Sequence, residues 1–175
     1  MTAESLQSID RFGDVASILV DDSDAQHAIS ITSSSWAAYG WIVAGGGELV
    51  QIDEQGEPTF TFDAPATVDA LELMVDLVRD GRSPSPFAQD LALDAVAAFA
   101  TGQVALHTSG SWDLPITRRA LQADYEVDDV VVLPMPQASS PPRTVLGGSS
   151  LFVPRGSPHR ELAFQLMLAL TEDEI

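Results

Sequence analysis

The sequence predicts an α/β domain, and three observations carry that expectation. Short apolar or alternating runs bounded by Gly, Pro and Asp recur along the chain and read as strands. Between them lie stretches with apolar residues at helical spacing and clear start and stop residues. The two kinds of segment are interleaved, which favours helices packed on a small mixed sheet. With 175 residues and 45% hydrophobic content the chain can bury a core.

Taken in order, residues 4–20 place Leu6, Ile9, Phe12, Val15 and Ala16 at helical spacing, with Gly13 as an interruption. The acidic DDSD at 21–24 predicts a turn, and HAISI at 27–31 a short strand. Ser33, Ser34 and Ser35 offer N-caps for a helix from Trp36 to about Ala44, stopped by Gly45, Gly46 and Gly47. ELVQI at 48–52 and PTFTF at 58–62, joined by DEQGE, predict a hairpin. Asp63 and Pro65 open the clearest helix, with Val68, Leu71, Val75 and Val78 as its apolar stripe. Its wet face carries Asp69, Glu72, Asp76 and Arg79, and Gly81 ends it. SPSPF at 83–87 is a loop, 91–102 a shorter helix closed by Gly102, and VALHT at 104–108 a strand. The turn TSGSW leads into a helix from about Asp113 to Gln122. VVVLP at 130–134 has the wholly apolar character of a strand buried on both faces. A Pro-rich surface loop at 135–143 follows, then a strand within 144–154, and Ser157 and Pro158 open a last helix.

Charge narrows the function. There are 26 acidic residues against eight basic ones, all Arg, for a net charge of −18. Such a surface repels phosphate backbones and anionic membranes, so no nucleic acid is expected as a partner. It keeps a protein soluble where salt screens self-repulsion. With no Lys there is no P-loop lysine and no Schiff-base catalyst; with no Cys there is no thiol nucleophile and no thiolate zinc site. No signal peptide and no membrane span are expected.

The order of segments resembles the extracytoplasmic sugar-binding proteins of ABC importers, the family that includes maltose-binding protein. The resemblance lies in the Trp-bearing helix ending in Gly-Gly-Gly at 36–47 and the hairpin after it, and in FTFDAPATVDALELMVDLVRDG at 60–81. It continues through AVAAFATGQVALHTSGSWDLP at 95–115 and VVVLPMP…VLGGSSLFVPRGSPHRELAFQLMLAL at the end. It implies a periplasmic-binding-protein-like lobe that is incomplete without the first lobe. Residues 1–125 would be the second, ligand-binding lobe, 126–157 lobe-crossing strands with the Pro-rich loop, and 158–175 a helix normally associated with the first lobe. The run of capped, amphipathic elements makes residues 4–125 one expected packing unit, and 144–171, whose partner lobe is expected to be missing, should pack at its edge or onto a neighbouring molecule. The implied activity is capture of a sugar or oligosaccharide between two lobes and delivery to the ABC permease, outside the cell membrane, with no cofactor and no metal. The N-terminal lobe and export signal of such a protein are expected to be missing from this stretch.

Sugars offer C–H faces to aromatic plates and hydroxyl edges to short polar groups. The resemblance gives Trp112 the role of plate, with Ser109, Gly110 and Ser111 allowing close backbone approach. It places Trp36 at a cleft-facing helix start with Tyr39 one turn later, and it makes Gly147, Gly148 and Ser149 a cleft-lining stretch; Trp41 is assigned to the core. Core packing is the competing role for the aromatics, and a tight turn for the Gly-Gly pair. The rival class is a carbohydrate-active hydrolase, since Ser109, Ser111, His107 and Asp113 crowd together, although sequence crowding is not spatial convergence. A different small solute is the other alternative. Asp21, Asp22 and Asp24 lack the glycine and closing Glu of a calcium loop, and the three His have no metal-ligand spacing.

Overall fold

The computed structural model describes residues 5–85, 95–121, 130–138 and 141–171. The chain divides into two units, Met1–Val145 and Leu146–Ile175.

The first unit begins with 3-10 turns at Ser5–Gln7 and Ile9–Arg11, followed by helix α1, Phe12–Asp21. The continuous helix expected over 4–20 is therefore broken, and at Ser8 rather than Gly13. Ser8 is extended and bridges Gln137: Ile9 N–H donates to the Gln137 carbonyl at 3.1 Å, and Gln137 N–H to the Gln7 carbonyl at 2.7 Å. Backbone groups used across that bridge are not available to a helical turn. Gly13 lies inside α1, where Phe12, Val15 and Ala16 are buried.

Strand β1, His27–Ser30, leads to helix α2, Ser35–Ala44. Of the three candidate caps Ser34 is the one used, its Oγ accepting Ala37 N–H at 3.1 Å. At Gly47 a β-carbon would stand 2.8 Å from Ile42 Cγ2 and 3.0 Å from Thr67 Oγ1, so only glycine lets the chain pass between two helices here. Strands β2, Val50–Ile52, and β3, Pro58–Phe60, pair antiparallel as the expected hairpin, with Val50 opposite Phe60. Asp53 shapes its turn, accepting the Gln55 and Glu57 amides at 2.9 and 2.8 Å.

Helix α3, Pro65–Arg79, starts at its proline but does not bury the expected stripe. Thr67, Ala70 and Leu77 are buried, with Leu73, Met74 and Val78 packed against the core, while Val68, Leu71 and Val75 are exposed. Eight of the eleven residues from 68 to 78 are apolar, more than one stripe needs, so two faces satisfy the helical period. The face with small Thr67 and Ala70 wins because it can sit close to Gly45, Gly47 and α2. The wet face is as expected, with Arg79 bound to Asp76 at 2.7 Å.

Helix α4, Ala95–Ala100, ends with Gly102 at φ +72°. Gln103 N–H reaches the Ala98 carbonyl and Gly102 N–H the Phe99 carbonyl, the paired bonds of a Schellman closure. The rest of that predicted helix, 91–94, lies outside the described residues. Strand β4, Val104–His107, pairs parallel with β1, His27 opposite Val104 and Ser30 opposite His107. A 3-10 turn at Ser111–Asp113 then opens helix α5, Leu114–Leu121. The other edge of β1 is covered by the segment after α3: Ala28 and Ile29 donate to the Arg82 carbonyl, and Ile31 donates to the buried Ser83 hydroxyl at 3.0 Å. The core gathers Ile9, Phe12, Ala16, Ala28, Ile29, Ile31, Trp41 and Leu77, with Leu106 and Met135 at its margin.

Two expected strands do not form. Residues 130–134 make no ladder, and Val131 and Val132 are exposed. Residues 144–154 likewise contain no strand, and Leu146, Leu151 and Phe152 are exposed. An apolar run becomes a strand only beside another strand, and none of the described strands pairs with either. The Pro-rich loop is partly pinned: Ala138 N–H donates to Ala44, and Arg143 binds Glu48 at 2.8 Å. In the second unit, helix α6, Arg160–Thr171, follows Ser157 and Pro158 and buries no residue. Among the described residues no helix is long and apolar enough to cross a membrane.

Candidate functional site

Because β1 and β4 are adjacent and parallel, their carboxyl ends face the same way. The loops leaving them therefore emerge on one edge of the fold, the usual place for ligand sites in α/β structures. After β1 the chain runs through Ser34 into α2 and presents Trp36 in its first turn. After β4 it runs through Thr108, Ser109 and Gly110 and presents Trp112. The two indoles meet edge to face, with ring centroids 6.4 Å apart and planes at 61°. Trp36 is 43% and Trp112 57% exposed, whereas Trp41 is 1% exposed and packs edge-on to Phe12 at 5.5 Å. Exposed indoles touching each other form an apolar corner with free ring surface beside serine hydroxyls.

The glycine of the turn leaves room for the indole two residues on. Gly110 is extended (φ −108°, ψ 178°), and a β-carbon there would lie 2.2 to 2.6 Å from three carbons of the Trp112 ring. The room it leaves is filled by the indole of the same turn. Ser111 is exposed, and the Ser109 hydroxyl donates to Asp113 Oδ2. That carboxylate oxygen is 3.5 Å from His107 Nε2, beyond ordinary hydrogen-bond length, and both His107 ring nitrogens are buried without a hydrogen bond among the described residues. The serine thus points to the acid and not to the imidazole. A hydrolytic relay needs its hydroxyl on a base that an acid orients behind it, so this order does not activate Ser109. Asp113 is the residue whose part in the turn sequence reasoning missed. Its signal was an acidic side chain four residues after a serine at a helix start.

The remaining candidates are not part of the Trp36–Trp112 contact. Tyr39 lines a cavity of about 500 Å³ with Val43, Glu48, Gln51 and Arg143. Gly147, Gly148 and Ser149 belong to the second unit and are exposed there; a side chain at Gly148 would meet nothing within 4 Å. Among the described residues no three His, Asp or Glu side chains gather to hold a metal ion.

Helices around a parallel strand pair, with an aromatic corner at the strands' carboxyl ends, define one lobe of a periplasmic-binding-protein-like fold. The chain belongs to the bacterial extracellular solute-binding protein family, whose model matches residues 2–175. Among solved structures it is similar to the GacH receptor of Streptomyces glaucescens, determined unliganded and with acarbose and an acarbose homolog. The TM-score is 0.74 at 22% identity, over 92% of this chain and 40% of that one. It is also similar to an ABC transporter solute binding protein from Thermotoga lettingae bound with α-D-tagatose. Here the TM-score is 0.68 at 24% identity, over 96% of this chain and 43% of that one. The chain thus spans well under half the length of either structure. No curated protein matches it.

Proposed function

We propose that this chain is the ligand-contacting lobe of a carbohydrate-binding protein that serves an ABC importer outside the cell membrane. The observation that carries the reading is the exposed Trp36–Trp112 pair at the carboxyl ends of β1 and β4. Two indoles with free faces and neighbouring serine hydroxyls suit a pyranose, which stacks by its C–H face and hydrogen-bonds by its edge. Ser109, Gly110 and Ser111 belong to that contact surface, and Tyr39, Gly147, Gly148 and Ser149 are further candidates for ligand contact in the full-length protein. The similar structures carry acarbose and tagatose, which supports a sugar as the ligand class. A first lobe elsewhere in the full-length protein closes over the sugar, and the permease recognises the closed state. Closure follows from tighter binding to the closed form and involves no bond chemistry and no cofactor.

Titration calorimetry of the full-length protein against mono- and oligosaccharides tests this. Trp112→Ala is expected to weaken binding by about 1–3 kcal/mol, the scale of one buried aromatic contact. Unchanged affinity with a stability loss of about 3–5 kcal/mol would make Trp112 a core wedge instead. Turnover of a glycoside would favour a hydrolase, and saturable binding of a non-sugar alone would favour a different solute.

A further inference from the structure

We propose that Asp113 is the positioning residue of the aromatic corner: its carboxylate ties the two ends of the Ser109–Asp113 turn together and so holds Trp112 against Trp36. What the corner is for rests on the carbohydrate reading; how it is held does not.

The turn has little stiffness of its own. It is five residues long, contains a glycine flanked by serines, and is held on its backbone by short-range bonds, Asp113 N–H to the Gly110 carbonyl at 3.1 Å and Leu114 N–H to the Ser111 carbonyl. Trp112 is more than half exposed, so burial in the core does not fix its ring. The ring instead lies over Gly110, and its position follows the path of the backbone there.

That path is set by the Ser109 hydroxyl bound to Asp113 Oδ2, which joins the first residue of the turn to the last. A hydroxyl bound to a carboxylate is among the stronger hydrogen bonds. The Asp113 side chain is partly exposed, and its Oδ2 lies 3.5 Å from His107 Nε2 on β4, a contact without a hydrogen bond. The His107 ring lies against Phe99 of α4 with centroids 6.3 Å apart. The hydrogen bond that positions the segment carrying the indole is thus the one from Ser109 to Asp113, with the imidazole of His107 only in contact behind the acid.

A purely structural role is the competing account, since an acid in the first turn of a helix stabilises the helix dipole. The two accounts separate by the conservative variant. Asn keeps an oxygen to accept the Ser109 hydroxyl but lacks the charge, and Ala lacks both.

The test needs no ligand. Two indoles at this separation couple their far-ultraviolet transitions and give a circular-dichroism couplet, identified in the full-length protein as the part lost in Trp112→Phe. Asp113→Ala and Ser109→Ala are expected to lose roughly half of the couplet or more, with the melting midpoint of Ser109→Ala close to that of the parent. Asp113→Asn is expected to retain most of it. A full couplet in both Asp113→Ala and Ser109→Ala overturns the proposal. So does equal loss in Asp113→Asn and Asp113→Ala with Ser109→Ala unaffected, because only the charge then matters. Ser109→Ala is exposed and leaves α5 untouched, so it keeps the test open should Asp113→Ala fail to fold. A couplet that behaves as expected in a protein that binds no sugar would sink the carbohydrate reading and leave this one standing.

Discussion

At residue 110 one missing β-carbon decides where an indole lies. Trp112 rests on space that any side chain but glycine's would fill, and the backbone there is extended, a conformation alanine adopts without strain. Gly110→Ala is therefore expected to push the ring off its seat while leaving the fold intact. Sugar affinity of the full-length protein should fall roughly tenfold, and stability should change by no more than a surface substitution produces, within about 0.5 kcal/mol. Calorimetry and a denaturant melt on the same variant check both parts. The sequence shows that TSGSW is a turn carrying a tryptophan. It does not show what the glycine makes room for, because a nearby ligand and the chain's own ring ask for the same absent methyl group. The exposed and buried tryptophans are more legible: Trp36 and Trp112 begin helices just after strands, while Trp41 sits mid-helix among apolar neighbours.

Secondary-structure elements differ in how much of their environment is written in their own residues. Helix α3 is announced by Pro65 and a wet face of charged residues, yet its buried face is chosen by what lies against it. Leu77 is 2% exposed and Val75 is 52% exposed. Leu77→Ala is expected to cost about 2–5 kcal/mol of stability, and Val75→Ala at most about 0.5 kcal/mol. Equal losses in urea melts would restore the stripe that periodicity alone suggests. The hairpin and the closure at Gly102 are legible because turn chemistry is local: Asp53, Gly56 and Gly102 satisfy the backbone with their immediate neighbours. VVVLP has the composition of a buried strand, but a ladder needs a second strand, and a single run does not encode its partner.

For the molecule as a whole, charge and connectivity matter most. A net charge of −18 makes the folded chain repel itself, so the melting midpoint is expected to rise from low to molar NaCl as screening shortens the range of that repulsion. A flat or falling midpoint would show that the acidic side chains are spaced widely enough not to matter. Connectivity acts on time. The ladder between β1 and β4 joins His27 to Val104, and most of the first unit lies between them. Closing so long a loop costs entropy that no neighbouring contact offsets in advance, whereas the hairpin and the α2–α3 contact close over short stretches. Ile29→Val should then speed unfolding with little effect on refolding, while Ala70→Gly, between α2 and α3, should slow refolding. Stopped-flow fluorescence reads both rates, and a refolding rate governed by Ile29 would reverse the order. Since Trp36 and Trp112 each follow one strand of that ladder, the corner they form is expected to assemble last. A collapsed chain can hold most of its helices and still be unable to recognise anything.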